Sequence, residues 1–200
     1  MSCGFKGTEK DYTAYIDVMD ALEIPQGAKV LDYGSSWGYG TWQLENAGFN
    51  VQGFEISQPR ARLAREVLRV DSRSIWDEID SEFDVIFSAH VLEHIACVAP
   101  ALQNLWRRLA EGGILLAFTP NGSLDYRAHV PRNWHKLWGY VHPNMMDANF
   151  FRHHFVDSPL LLASNPYPRE TINAWKRAGR GVVECSLSGD ELLVIALKTR

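Results

Sequence analysis

The chain has 200 residues, 46% of them hydrophobic and 22% charged, with a formal net charge of −4. That is enough apolar material for one well-packed domain over 1–200, and the lack of a basic excess argues against nucleic-acid binding. No apolar run nears the roughly eighteen residues of a membrane span, and the charged start (Lys6, Glu9, Lys10, Asp11) is unlike a signal peptide. Cys3, Cys97 and Cys185 are odd in number and far apart, so they read as free thiols of a reducing compartment, and a soluble cytoplasmic protein is expected.

Tyr12, Tyr15, Ile16, Met19 and Leu22 recur at helical intervals and predict a lead-in helix within 8–24. Pro25-Gln26-Gly27 breaks it before a strand over 29–33. That strand carries Asp32 near its end, and Gly34-Ser35-Ser36-Trp37-Gly38 follows, leading into a helix that stops at Gly48. A strand, a glycine-interrupted turn and a helix start present backbone N–H groups to a bound ligand. The second strand ends in Glu55, about twenty residues after the loop, where an acid can bind both hydroxyls of an adenosine ribose. Ser36 stands where the dinucleotide pattern has the glycine that lets a pyrophosphate approach. A ligand with adenosine but no pyrophosphate, such as S-adenosylmethionine (SAM), does not need that glycine.

Ser57-Gln58-Pro59 predicts a helix to about Arg69, with a capping hydroxyl and an early proline. Arg62, Arg65, Arg69 and Arg73 read as its solvated face. A short third strand is expected around 70–72 and a buried fourth over 83–89. The next helix, over 100–111, puts Leu102, Leu105, Trp106 and Leu109 on one face and is stopped by Gly112-Gly113. A fifth strand over 114–119 ends at Pro120-Asn121-Gly122. Residues 121–158 break the rhythm, being rich in aromatics and histidines, and read as an insertion or lid. After it come 160–163, a helix over about 168–178, the run 182–187, a Ser188-Gly189-Asp190 turn and the run 191–198. The last two runs lie only a turn apart and are expected to pair as an antiparallel hairpin. The resulting fold class is α/β: a doubly wound, mostly parallel seven-stranded sheet with an antiparallel C-terminal strand and the insertion after strand five.

Four segments, 30–38, 53–57, 84–95 and 109–121, together resemble a class I SAM-dependent methyltransferase, and most closely the subgroup that includes the ubiquinone-biosynthesis O-methyltransferases. The resemblance implies that Gly34, Ser36 and Gly38 wrap the methionine part of SAM and that Asp32 anchors its amino group. It places Glu55 on the ribose, Ile56 against the adenine, and Ala89 and His90 near the sulfur. Ser74-Ile75-Trp76 would cover the other adenine face, although Trp76 also suits a core position. The product would be S-adenosylhomocysteine (SAH). In the ubiquinone-type relatives a Glu-x-x-Glu-His run at 90–94 is associated with a divalent cation; here His90 replaces the first glutamate, and a site without metal is expected.

The seven histidines fall in two places: His90 and His94 after strand four, and His129, His135, His142, His153 and His154 in the insertion. Loops after strands four and five leave the same edge of a parallel sheet. His90 is therefore expected to act as general base toward a small-molecule hydroxyl acceptor, with His142 second in line. Trp134, Trp138, Tyr140, Phe150 and Phe151 can wall an acceptor pocket or pack as a lid's own core. The rival readings are a non-catalytic SAM-binding subunit and a nicotinamide-dependent oxidoreductase.

Overall fold

The computed structural model describes residues 4–178 and 181–199; Cys3 lies outside them. Among the described residues eight strands form one sheet in the order β3-β2-β1-β4-β5-β8-β6-β7. β1 (Lys29–Tyr33), β2 (Asn50–Phe54), β3 (Ser72–Arg73), β4 (Phe83–Ala89) and β5 (Leu109–Pro120) run parallel. β6 (Leu160–Ser164) and β7 (Val182–Glu184) are parallel to each other, and β8 (Glu191–Leu197) lies antiparallel between β5 and β6. The strand order reverses between β1 and β4, which opens a crevice at their C-terminal ends.

The sheet corrects two sequence expectations. It has eight strands, and the hairpin between the last two does not form. Burial explains both. Leu192 to Ala196 of β8 are all buried, so that strand takes an interior place with both faces covered. β7 is short and half-exposed, and suits an edge. Its neighbour is β6, which settles 160–164 as the sixth strand.

Seven α-helices flank the sheet among the described residues: α1 (Thr13–Ala21), α2 (Tyr39–Asn46), α3 (Gln58–Leu63), α4 (Val98–Arg108), α5 (Leu124–His129), α6 (Ala148–His154) and α7 (Arg169–Ala178). Ser57 sits at the N-cap of α3, but its hydroxyl makes no capping bond; its N–H instead donates to Glu55. α3 continues as a π turn over Ala64–Leu68 and ends at Arg69 in the left-handed region. The arginine stripe is partly spent locally: Arg65 donates to the Ser72 carbonyl and Arg73 pairs with Asp71. α4 stops at Arg108, before Gly112-Gly113, because Leu109 already pairs with Phe83 in the sheet.

Apolar clusters cover both faces of the sheet, one around Phe83, Ile86 and Leu105, the other around Met19, Val30 and Phe118. The insertion divides. Met146, Ala148, Phe151 and Phe155 belong to the first cluster, whereas Trp138 and Tyr140 are exposed. Ser123 and Asp147 cap α5 and α6 by accepting the N–H groups of Tyr126 and Phe150. No helix of the described residues is long and apolar enough to cross a membrane.

Candidate active site

Past β1 the backbone enters the left-handed region at Gly34 (φ +85°), Ser36 (φ +51°) and Gly38 (φ +83°), and Gly38 is the N-cap of α2. The N–H groups of Gly34 and Ser35 donate to the Phe54 carbonyl at 2.8 and 2.9 Å, tying the loop to the end of β2. A Cβ on Gly34 would lie 2.2 Å from Val91 Cγ2, and one on Gly38 would lie 2.7 Å from Ala64 Cβ. Glycine is therefore required for conformation and for space. Ser36 holds the strained geometry a glycine would adopt freely, and its N–H donates to Glu55 Oε2 at 3.0 Å.

Glu55 is buried, and its Oε1 accepts the Ser57 N–H at 2.8 Å. Each oxygen thus carries one backbone N–H and retains acceptor capacity for a ribose hydroxyl. Ile56, beside it, is 81% exposed, an apolar side chain left open at the rim of a cleft of about 690 Å³. Tyr33 and Phe54 reach that cleft and stack on each other with centroids 5.5 Å apart. Trp76 does not line it. It packs edge-on against Phe54 at 5.1 Å under the Arg108 guanidinium, as a core residue does.

Asp32 lies behind the loop rather than in the cleft. It is buried, and Thr41 Oγ1 donates to its Oδ2 at 2.7 Å. Burial pushes its carboxyl up to about 6, against the opposing Thr41 hydrogen bonds and with help from the Glu55 charge. The folded state therefore holds this proton more tightly than the unfolded chain. The resulting stability is fully present below the ordinary value of 3.8 and is lost as pH rises through about 6. Asp32→Asn, which can still accept from Thr41, is expected to make the ligand-free protein more stable than wild type at pH 8. The gain is about 2–3 kcal/mol, vanishing at pH 4, and SAM binding weakens. Urea unfolding at the two pH values checks this; an equal difference at both contradicts it.

Ala89 ends β4, and His90 follows at φ +54° with its N–H on the Phe118 carbonyl at 2.9 Å. The backbone bend aims the imidazole at two carboxylates. Nε2 pairs with Glu191 Oε2, and Nδ1 lies 3.3 Å from Glu93 Oε1. Tyr15 and Tyr167 donate their hydroxyls to the same Glu191. Burial pushes the His90 imidazole down, but the two carboxylates outweigh it and raise its pKa to about 10. The ring is thus held as a cation at neutral pH, whereas the sequence reading treats it as a free base near its ordinary pKa. Glu191, Tyr15 and Tyr167 are missing from that reading. The one available signal was the acid that opens the last apolar run, at the sheet edge where β5 ends.

His90 lines the main cleft and also a second cavity of about 290 Å³ beneath Tyr12, Tyr15 and Lys10; Gly34 and Ser36 border both. Among the described residues, one potential ligand atom each of Glu93, His94 and His142 lie within 4.8 Å of one another. The spacing of His90, Glu93 and His94 would put all three on one face of a helix. Residues 92–94 instead form a 3-10 turn, and the left-handed His90 stands outside it. None of Trp134, Trp138, Tyr140, Phe150 and Phe151 lines the main cleft or the second cavity.

A family model described as a methyltransferase domain matches residues 8–158. The ubiquinone biosynthesis O-methyltransferase of Paramagnetospirillum magneticum is 32% identical over 121 residues, covering 56% of this chain and 49% of that protein. The chain thus spans about half the length of the curated relative it matches. Among solved structures, a TehB-like SAM-dependent methyltransferase from Corynebacterium glutamicum has a TM-score of 0.62 at 21% identity, covering 97% of this chain and 90% of the other. The plantazolicin methyltransferase BamL, solved with a desmethyl analogue of plantazolicin and SAH, has a TM-score of 0.68 at 10% identity, covering 98% and 87%. These two show the fold alone. The loop that admits no Cβ at Gly34, the spare acceptor capacity of Glu55 and the open Ile56 suit SAM, the cofactor of the family. Sequence match, sheet order and loop geometry agree that the chain belongs to the methyltransferase-domain family of class I SAM-dependent methyltransferases.

Proposed function

We propose that the chain transfers a methyl group from SAM to a small-molecule acceptor, at a hydroxyl oxygen. The observation that carries this reading is the position of His90. It borders both the main cleft and the second cavity beside the glycine loop, with Nε2 paired to Glu191 and Nδ1 3.3 Å from Glu93. When bound, SAM supplies an electrophilic methyl on its sulfonium, so the protein's part is to position, to exclude water and to handle a proton.

Gly34, Ser36 and Gly38 hold the methionine end, with Asp32 bracing the loop from behind through Thr41. Glu55 takes the ribose hydroxyls, and Ile56 lies on the adenine. Ala89 ends β4 and brings His90 to the reacting end. Once an acceptor opens the pair to Glu191, the His90 imidazolium releases its proton to solvent, and the neutral ring then takes the proton of the acceptor hydroxyl. His142, the second candidate base, meets the His94 ring at 4.6 Å but lines neither the main cleft nor the second cavity, so the proton role rests on His90. The named activity of the Paramagnetospirillum magneticum relative supports oxygen as the accepting atom. The net negative charge supports a small-molecule acceptor over nucleic acid.

The experiment is SAH release from SAM across a panel of phenols, catechols, carboxylic acids and amines. Turnover is expected on hydroxyl acceptors, and His90→Ala lowers the catalytic rate about a hundredfold or more while SAH still binds. Turnover on amines alone, or full activity in His90→Ala, would overturn the assignment.

A further inference from the structure

Glu93 is 1% exposed, and only one of its oxygens is satisfied: Oε2 accepts the Thr119 hydroxyl at 3.1 Å, while Oε1 has no hydrogen-bond partner. The nearby His90 Nδ1, at 3.3 Å, is poorly directed toward it. The His90 imidazolium answers part of the Glu93 charge, but an oxygen without a well-directed donor keeps a lone pair for a further cation. Two imidazoles converge on the same place. His94 is the next residue, and its Nδ1–H donates to the Val141 carbonyl, which leaves Nε2 as the nitrogen with a free lone pair. His142 meets the His94 ring at a centroid distance of 4.6 Å. It is presented by a tight turn in which Gly139 and His142 exchange backbone hydrogen bonds. Asn144 fastens this part of the insertion to the 92–95 turn, donating its N–H to the Glu93 carbonyl and its side-chain amide to the Ile95 carbonyl.

From this geometry we infer that Glu93, His94 and His142 form a binding site for a divalent transition-metal ion of the zinc class, with the insertion supplying the third ligand. The donor set decides the metal. Two imidazoles and one carboxylate suit zinc and its neighbours, whereas magnesium favours oxygen ligands and retained water. The set also departs from the Glu-x-x-Glu-His run of the ubiquinone-type relatives: the residue at that first position, His90, is engaged by Glu191, and His142 takes its place. The His94–Val141 bond is the outer contact that fixes a ligating imidazole. Three protein ligands leave a coordination position open, and His94 borders the main cleft. An ion there would lower the pKa of an oxygen ligand. Binding of the ion is independent of which acceptor the protein uses.

The test is a titration of the EDTA-stripped full chain with zinc, read by competition with a chromophoric chelator, with magnesium as comparator and circular dichroism as the check on folding. One equivalent of zinc should bind, with magnesium failing to compete. His142→Ala and His94→Ala should each weaken binding about tenfold or more, and His153→Ala, elsewhere in the insertion, should leave it unchanged. Cobalt should give a visible ligand-field spectrum that His142→Ala alters. Absence of saturable zinc binding overturns the inference. So does binding that survives His142→Ala but is lost in His90→Ala, because the ligand set would then be the one on the β4–α4 connection alone.

Discussion

Gly34→Ala is expected to abolish measurable SAM binding and to destabilise the ligand-free protein by about 2–4 kcal/mol. Two effects combine. At φ +85° an L side chain is strained, and the new methyl would lie 2.2 and 2.7 Å from the two γ-carbons of Val91. Val91 is β-branched and cannot swing away as a long flexible chain would. The loop must therefore shift, and the Gly34 and Ser35 N–H groups that fix it to Phe54 move with it. Val91→Ala in the same chain relieves the clash but not the backbone strain, so the double variant should recover part of the stability. Urea unfolding of the three proteins checks this coupling; strictly additive losses would mean that Val91 is not the obstacle.

Glu55→Ala is expected to weaken SAH binding by about 1.5–3 kcal/mol, roughly ten- to a hundredfold, through loss of charge-assisted bonds to the ribose. From sequence alone the ligand-free fold should be indifferent to this change, since the residue ends a strand at the sheet edge. The structure overturns that expectation. Glu55 accepts the Ser36 and Ser57 N–H groups and so joins the glycine loop to the start of α3. Its removal orphans both donors and should cost about 1–2 kcal/mol of stability without ligand. Chemical denaturation and a calorimetric titration of the same sample separate the two losses.

What could be read from the sequence was whatever rests on local pattern. β1 and β4 are short, mostly apolar runs and stand where expected, and within the first loop the positive φ values fall on Gly34, Ser36 and Gly38. The misplaced elements are those decided by tertiary context. The runs at 182–187 and 191–198 are neighbours in the chain, yet the buried side chains of β8 draw it between β5 and β6 and leave β7 at the edge. The charge state of His90 depends on Glu191, 101 residues away, and Glu191 in turn binds Tyr15 across 176 residues. No periodicity reports such pairings. The Glu93, His94 and His142 group was hidden for the same reason, since a turn in the insertion brings its third member from a distant segment.

The most direct test of a SAM cleft at the β1–β4 reversal is a calorimetric titration of the wild-type chain with SAH, with NAD as the comparison. Saturable binding of one SAH is expected, with thermal stabilisation of about 2.7 kcal/mol at a hundredfold excess over the dissociation constant, and no heat from NAD. Saturable binding of NAD with none of SAH would contradict the account.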